Sequence, residues 1–257
     1  MRPPFQYYGS KGRLAPHIVS LLPSHAAYVE PFAGSAAVFF AKAPVPIEVL
    51  NDVNGDLIAF LRTLRDRPGE LERLIALTPY ARTEHAAARL GDAAAADVER
   101  ARRWWIQCMQ SRSGEAGGSW RRPTHAIGSS NAHTAKRQAA LMHAYADRLR
   151  DAYIECCDAV ELIGRMDAPA TAFYVDPPYL RQVRTPSGRY VAELEDEAGH
   201  RRLLAALSAC AGTVVLSGYC SPLYEELLRG WVRLDYRVRN AASDLRRHAV
   251  ESVWINR

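Results

Sequence analysis

The most constraining feature of this chain is an apolar run that ends at two consecutive prolines. The run Ala172-Phe173-Tyr174-Val175 predicts a buried strand, and Asp176-Pro177-Pro178-Tyr179 follows it directly. Because proline fixes φ and has no N–H to donate, the strand must end there in a stiff corner. That corner presents a carboxylate, backbone carbonyls and an aromatic ring, which suit a planar ligand with an amino group, such as adenine. An ordinary turn beside a core tyrosine explains the tetrapeptide equally well.

A glycine turn, followed by an acid at the next strand end, indicates a nucleoside site. Gly34 separates a predicted strand that ends at Val29 from an apolar segment, 35–42, that predicts a helix. A ligand can approach backbone N–H groups at such a turn. Asp52 lies 18 positions after Gly34, and an acid about 20 residues past the glycine turn binds ribose hydroxyls in nucleoside-binding α/β folds. Asp52 can also cap the helix that follows, and the two roles are compatible.

The N-terminal segment 7–11, Tyr-Tyr-Gly-Ser-Lys, precedes an apolar stretch that predicts a helix from Leu14 to Leu22. A glycine between aromatic rings and a lysine can clasp a ligand that bears a carboxylate. Alone, this segment is a weak signal.

Strands and helices alternate along the chain, which predicts an α/β fold with a mostly parallel sheet covered by helices on both faces. The predicted strands are 27–30, 46–50, 153–157, 172–175 and 213–217, with 232–238 and 249–255 as a closing antiparallel pair. Between 68 and 150 the pattern is helical and rich in loops. We therefore predict a discontinuous sheet domain, residues 1–67 and 151–257, that carries a helical insert, residues 68–150.

The positive charge of the chain is concentrated in the insert. The formal net charge is +5, whereas residues 98–150 alone contain ten Lys or Arg and three Asp or Glu. A local excess of this sign indicates an anionic partner such as nucleic acid, although most charge clusters are solvated surface.

Within the insert, residues 111–123 predict a flexible loop with arginines and one tryptophan. A single helix is predicted from Thr134 to Arg150, with an apolar face formed by Leu141, Met142, Tyr145 and Leu149. Lys136 and Arg137 would lie in its first turn, where the helix dipole opposes positive charge and a nearby phosphate would relieve that cost.

Taken in order, four segments of the chain resemble the Dam-like family of adenine-specific DNA methyltransferases. They are Tyr-Tyr-Gly-Ser-Lys at 7–11, Glu-Pro-Phe-Ala-Gly-Ser at 30–35, Asn-Asp at 51–52 and Asp-Pro-Pro-Tyr at 176–179. The resemblance covers nearly the whole chain, and the middle third matches least. One departure is Ala36, where many members of the family carry a second glycine.

The resemblance implies a Rossmann-like S-adenosylmethionine-dependent methyltransferase sheet with an inserted, mainly helical target-recognition domain. It also implies transfer of a methyl group from S-adenosylmethionine to the 6-amino group of adenine in double-stranded DNA, after the base is flipped out. The catalytic domain would be residues 1–67 and 151–257, and the basic insert 68–150 would bind DNA.

Site residues follow from the resemblance position by position. The implied catalytic residues are Asp176, Pro177 and Tyr179, whose ring would stack on the flipped adenine. The implied cofactor-binding residues are Tyr7, Lys11, Phe32, Gly34, Asp52, Asp158 and Asp176, although Asp158 equally suits a cap for the helix 160–166. The candidate DNA-binding residues are Arg112, Arg121, Arg122, Asn131, Lys136, Arg137 and Arg184. Arg184 belongs to a loop, 181–189, that we expect to close over the flipped nucleotide.

Composition narrows the class of protein. No apolar stretch is long enough to span a bilayer and no secretory signal opens the chain, so a cytoplasmic protein is expected. The five cysteines are odd in number and lack C-x-x-C spacing, so neither a disulfide framework nor a metal site is expected. We expect a monomer on DNA.

Other functions remain open on the sequence alone. A methyltransferase acting on RNA could use the same tetrapeptide, whereas enzymes that methylate a glutamine amide generally carry Asn in place of Asp176. A DNA-binding protein that has lost catalysis is a further alternative. A nucleotide-binding dehydrogenase is disfavoured because the chain lacks a full G-x-G-x-x-G motif.

Overall fold

The computed structural model describes residues 1–90, 95–122, 130–180, 196–239 and 248–256. These residues form a seven-stranded sheet. Its strands are β1 (Ala27–Glu30), β2 (Ile47–Asn51), β3 (Tyr153–Glu155), β4 (Thr171–Val175), β5 (Thr213–Gly218), β6 (Val232–Arg239) and β7 (His248–Ile255). The strand order is β3-β2-β1-β4-β5-β7-β6. Strands β1 to β5 pair in parallel, and β7 pairs antiparallel with both β5 and β6.

This architecture confirms the predicted α/β fold, including the closing antiparallel pair. The parallel sheet with helices on both faces is the arrangement that the resemblance implies. Strand β1 lies between β2 and β4, so the chain winds outward in both directions from the β1–β4 pair. A crevice forms at the carboxyl ends of the strands at such a switch point, and ligands bind there in open α/β sheets.

Eleven helices are assigned within the described residues. They are α1 (Ala15–Leu21), α2 (Ala37–Ala41), α3 (Gly55–Asp66), α4 (Pro68–Leu77), α5 (Arg82–Leu90), α6 (Asp97–Gln110), α7 (Asn131–Ala139), α8 (Met142–Leu149), α9 (Ala159–Met166), α10 (Glu197–Ala209) and α11 (Pro222–Leu227). None of the described helices is long and apolar enough to cross a membrane.

Both faces of the sheet are buried, because alternate residues of its strands belong to two different hydrophobic clusters. Tyr28 of β1 and Tyr174 of β4 lie in one cluster. Their neighbours Val29 and Phe173 lie in the other. Successive side chains of a strand point to opposite faces, so helices must cover both sides. Continuous apolar runs, rather than alternating ones, are the expected sequence signature of such strands.

The helices of the insert pack on the sheet domain through α3, which contacts α4, α6 and α8. Trp104 and Trp105 of α6 and Tyr145 of α8 belong to the same hydrophobic cluster as Tyr28 of the sheet. The insert therefore shares a continuous core with one face of the sheet.

The single helix predicted from Thr134 to Arg150 is wrong, because the chain forms α7 and α8 with a break at residues 140–141. Helix α7 begins earlier than predicted, since the Ser130 hydroxyl accepts a hydrogen bond from the His133 N–H at 3.1 Å and caps it. Leu141 at the break is 45% exposed and does not join the apolar face.

The expectation that Lys136 and Arg137 lie in the first turn of a helix is also wrong. They lie in the last turn of α7, not in the first. Positive charge there is favoured by the helix dipole, so no phosphate is needed to relieve it.

Candidate active site

The candidate site is a cleft at the switch point between β1 and β4. Strand β1 ends at Glu30 and β4 ends at Val175, so the acids Glu30 and Asp176 meet at one edge of the sheet. Six residues predicted from the sequence line this cleft: Tyr7, Lys11, Phe32, Gly34, Asp52 and Asp176. Motifs that are far apart in the sequence therefore converge on one cavity.

The glycine turn is fixed by Asp52. Gly34 has a φ of +47° and donates its N–H to Asp52 Oδ2 at 3.0 Å. The Asn54 N–H donates to Asp52 Oδ1 at 3.0 Å. Burial raises the pKa of Asp52 above its ordinary value, and these two N–H donors oppose the rise. One carboxylate thus ties β2 to the loop after β1.

The proposed cap role of Asp52 is wrong, because Asn54 caps α3. Asn54 Oδ1 accepts from the N–H groups of Asp56 at 3.0 Å and Leu57 at 3.2 Å. The side chain of Asp52 lines the cleft instead.

Ala36, the departure from the family pattern, has a left-handed backbone with φ +51° and ψ +37°. An L-residue adopts that conformation at a cost of roughly 1–2 kcal/mol, which glycine would avoid. Ala36 is fully buried, so its methyl group is accommodated in the core beside the glycine turn.

Asp176 is held by two partners. Lys11 Nζ donates to Asp176 Oδ2 at 2.9 Å, and the Tyr179 hydroxyl donates to Asp176 Oδ1 at 3.1 Å. The side chain of Asp176 is 19% exposed. Burial raises its pKa above the ordinary value of an aspartate, the Lys11 ammonium lowers it, and the nearby Glu251 carboxylate raises it.

Tyr179 differs from the stacking platform expected from the sequence. Its side chain is buried, with 8% of its surface exposed. Its ring meets Tyr219 nearly edge-on with centroids 4.6 Å apart, and its hydroxyl also donates to Glu251. Tyr179 is not among the residues that line the cleft.

A buried histidine supports the two prolines. His200 lies with Nε2 3.0 Å from the carbonyl oxygen of Pro178 and Nδ1 2.9 Å from the Tyr224 hydroxyl. Because the carbonyl can only accept, Nε2 carries the proton that is donated to Pro178. The corner after β4 is therefore anchored to α10 and α11.

Glu30 lines the cleft and was not predicted as a site residue. It is 1% exposed, and its Oε1 accepts from the Tyr28 hydroxyl at 2.6 Å and the Phe39 N–H at 2.7 Å. Burial raises its pKa to about 8, against those two hydrogen bonds. An acid at the end of a buried strand, opening the segment 30–35, is the signal that could have identified it.

Asp158 caps a helix. Its Oδ1 accepts from the Glu161 N–H at 2.9 Å at the start of α9, and Arg202 forms an ion pair with it at 2.8 Å. It is not among the residues that line the cleft. The cap interpretation is therefore confirmed, and a cofactor role for Asp158 stays a prediction.

A family model described as D12 class N6 adenine-specific DNA methyltransferase matches residues 7–89 and 121–238, which is well over half of the chain. The chain belongs to this family. The resemblance inferred from the four motifs is confirmed. The six predicted residues that line the cleft all fall within the matched ranges.

A relative of the D12-class chain is the Type II methyltransferase M1.LlaDCHI of Lactococcus lactis subsp. cremoris. It is 40% identical over 76 residues, which are 29% of this chain and 26% of that protein. The similarity thus spans about a quarter of the relative's length.

The predicted DNA-binding residues of this D12-class chain are spread over two elements. Residues 111–120 contain a short 3₁₀ turn at Arg112–Gly114 and are closed by a bridge between Ser111 and Trp120, while the flexibility expected of this loop stays a prediction. Arg112 and Arg122 are exposed there, whereas Arg121 is half-buried and its Nη1 donates to Gln6 Oε1 at 2.6 Å.

The remaining candidates lie on α7 or outside the structure. Asn131 is half-buried at the start of α7, and Lys136 and Arg137 are exposed on it. Arg184 and the loop 181–189 lie outside the described residues. Among the residues that are described, no group of three or more His, Cys, Asp or Glu is placed to hold a metal ion.

Proposed function

We propose that this protein is a site-specific DNA methyltransferase that transfers a methyl group from S-adenosylmethionine to the 6-amino group of adenine. The observation that carries the proposal is the contact between Lys11 and Asp176, which joins the N-terminal motif to the tetrapeptide at the end of β4. Membership of the D12 class supports the choice of adenine in DNA. The printed name of the relative, a Type II methyltransferase, is consistent with it.

The side chains of the cleft fit S-adenosylmethionine. Two carboxylates, Asp52 and Asp176, and one cation, Lys11, line it, beside the buried Glu30, whose raised pKa favours its protonated, uncharged form. That charge balance suits a ligand with a positive sulfonium and an ammonium group. We propose that Asp52 holds the ribose, Lys11 with Tyr7 holds the methionine part, and Phe32 packs on the apolar part.

When bound, S-adenosylmethionine supplies a methyl group activated by a positively charged sulfonium. Asp176 would accept a hydrogen bond from the adenine amino group, orient the nitrogen and stabilise the positive charge that develops on it. The nitrogen–methyl bond forms as the sulfur–methyl bond breaks, and the amine proton then leaves to solvent. The carbonyl of Pro178 is occupied by His200, so the carbonyl of Pro177 is the proposed second acceptor. Holding both reactants in alignment can lower a barrier by roughly 7–11 kcal/mol.

The target base must leave the duplex, which costs a few kcal/mol. Stacking on Tyr179 would recover about 1–3 kcal/mol of this cost. In our proposal, the exposed arginines and Lys136 of the insert contact double-stranded DNA, and the protein binds it as a monomer. Such contacts fix the register on the duplex, whereas sequence is read at base edges.

The test is transfer of labelled methyl groups to unmethylated plasmid DNA, followed by sequencing that locates the modified bases. Asp176→Ala should abolish incorporation. Asp147→Ala, which removes a carboxylate that is 67% exposed on α8, is the matched control and should leave incorporation unchanged. Label in adenine, lost only in the first variant, would support the proposal.

Other outcomes would point elsewhere. Incorporation into RNA but not DNA would favour the RNA methyltransferase. If the wild type neither transfers methyl groups nor binds the cofactor, a DNA-binding protein that has lost catalysis would be favoured. Label in cytosine would contradict the proposed chemistry.

A further inference from the structure

A second buried carboxylate lies against the proposed catalytic one. Glu251 is on β7, two residues before Val253, and its side chain is 6% exposed. The Tyr179 hydroxyl donates to its Oε1, and Lys11 Nζ lies 3.4 Å from the same oxygen. This residue lies outside the four segments that carry the resemblance, 7–11, 30–35, 51–52 and 176–179.

The Lys11 ammonium and the Tyr179 hydroxyl therefore each contact two carboxylates, those of Asp176 and Glu251. Lys11 Nζ is 2.9 Å from Asp176 and 3.4 Å from Glu251. The Tyr179 hydroxyl carries a single proton and lies between the same two side chains. It can donate fully to only one of them at a time.

Stability alone does not account for Glu251. Taking a carboxylate out of water costs several kcal/mol, and well-packed apolar residues in place of a buried ion pair are often neutral or stabilising. Neighbouring positions on β7 show that the strand accepts apolar side chains, since Val253 and Trp254 are buried. The contacts of Glu251 with Tyr179 and Lys11 point to a role in the site itself.

We infer that Glu251 is a positioning residue for the proposed methyl transfer: it holds the Tyr179 hydroxyl and shares Lys11, so that Asp176 can exchange these partners for the substrate amino group. This inference rests on the proposed function. When Asp176 turns to the amine, Tyr179 and Lys11 keep a buried acceptor in Glu251. The Tyr179 hydroxyl in particular is then not left as a buried donor without an acceptor.

The inference predicts a change in the pKa of Asp176 when Glu251 is replaced. The titratable groups that face it are Lys11, Glu30, Tyr174, Tyr179, Tyr219, Tyr224 and Glu251. Burial raises the pKa of Asp176, Lys11 lowers it and Glu251 raises it. Replacing Glu251 with neutral Gln should therefore lower the pKa of Asp176.

The experiment compares Glu251→Gln and Glu251→Ala, each alone and combined with Tyr179→Phe, over a range of pH. Glu226→Gln, an exposed acid on α11, is the matched control. Cofactor affinity is measured by calorimetry and folding by thermal unfolding. Gln retains an oxygen that accepts from Tyr179, so this variant stays informative if the Ala variant fails to fold.

We expect Glu251→Ala to lower kcat about tenfold or more with KM for DNA changed less than about threefold. Glu251→Gln should have most of the kcat that Glu251→Ala loses. In a plot of kcat against pH, its acid limb should lie about half a pH unit or more below that of the wild type. In the Tyr179→Phe background, Glu251→Ala should cost less than about threefold, because the contact with the Tyr179 hydroxyl is already gone and only the contact with Lys11 remains.

An unshifted acid limb in Glu251→Gln, or a kcat loss that is additive with Tyr179→Phe, would overturn the inference. The activity of the wild type distinguishes failure of the proposed function from failure of the role assigned to Glu251. If the wild type transfers no methyl group to DNA, the proposed function fails and the inference falls with it. If the wild type is active and the Glu251 variants match Glu226→Gln, only the inference fails.

Discussion

Lys11 Nζ lies 2.9 Å from Asp176 Oδ2, although 165 positions separate the two residues in the sequence. The pair joins the segment before α1 to the corner after β4. Lys11 is 8% exposed and Asp176 19%, so solvent screens their interaction much less than that of a surface ion pair. Burial raises the pKa of the carboxylate proposed to bind the amino group, and the Lys11 ammonium opposes that rise.

Replacing Lys11 with Met should raise the pKa of Asp176, because the ammonium that lowers it is removed. The acid limb of the kcat profile should move to higher pH, opposite in direction to Glu251→Gln. A pH series of initial rates measures the shift. Arg13→Met, an exposed cation in the same segment, is the control, and equal behaviour of the two variants would contradict the assigned role of Lys11.

Asp52→Asn should weaken cofactor binding by about tenfold or more. The Asp52 carboxylate now accepts from the N–H groups of Gly34 and Asn54. In the Asn variant the side-chain NH₂ would face one of these donors, which would lose its acceptor. Calorimetric titration with S-adenosylmethionine measures the effect. Asp56→Asn, on the neighbouring helix and 53% exposed, should leave the affinity unchanged. Wild-type affinity in Asp52→Asn would rule out the ribose-binding role.

Gly114→Ala should destabilise the turn 111–120 against the N-terminal segment. A Cβ atom there would lie 2.8 Å from the carbonyl carbon of Gln6, and the φ of Gly114 is +71°. Gly117 has a similar φ of +76° with no atom within 4 Å of its Cβ position. The two variants share the backbone cost, of roughly 1–2 kcal/mol, so the difference in their unfolding free energies measures the clash.

We expect Gly114→Ala to be the less stable variant and to lose methyl transfer with weaker cofactor binding. The physical reason is that the Tyr8 N–H donates to the Gly114 carbonyl at 3.1 Å, close to the cleft residues Tyr7 and Lys11. Equal stability of the two alanine variants would show that the turn moves away without cost.

Glu30 should make folding stability depend on pH. Its pKa in the folded protein is about 8, against an ordinary value of 4.5, because it is buried. The folded state thus favours the protonated acid. Its contribution, on the order of a few kcal/mol, is fully present below about pH 4.5 and is lost as the pH rises towards about 8.

Urea unfolding of the wild type and Glu30→Gln across this pH range measures the effect. Gln is neutral at every pH, so the stability of the wild type relative to Glu30→Gln should fall between about pH 5 and pH 8. Glu70→Gln, an exposed acid on α4, should show no such slope. A constant difference between wild type and Glu30→Gln would mean that Glu30 is ionised throughout.

Tyr179→Ala should lower kcat more than Tyr179→Phe. Phenylalanine keeps the ring for stacking, worth about 1–3 kcal/mol per base, and loses only the hydroxyl. The hydroxyl contacts with Asp176 and Glu251 predict a measurable loss for Phe as well. Single-turnover rates on methylatable DNA report both variants, and a Phe variant as poor as Ala would assign the whole effect to the hydroxyl.

The sheet was predictable because its strands carry their own local signal. The run 172–175 is apolar and buried throughout, which is the pattern expected of a strand buried on both faces. The runs 27–30 and 46–50 are mostly apolar, with one glutamate in each and an exposed Ile47. The break between α7 and α8 has no comparable signal, since apolar residues continue through Leu141 and Met142. Side chains on either side of that break, Gln138 and Tyr145, both donate to the carbonyl of Pro3, a contact that a local pattern cannot reveal.

By itself the sequence determined which residues end the strands: Asp52 after β2, Asp176 after β4, and the glycine turn after β1. These depend on neighbours in the chain, because proline, glycine and apolar runs act over a few residues. Only the tertiary structure decided that Glu251 joins Asp176 and Lys11. Strand β7 is inserted between β5 and β6. This position brings Glu251 into contact with Tyr179, 72 residues earlier in the sequence. The strand order is set by packing of the whole sheet, so no local run of residues reveals it.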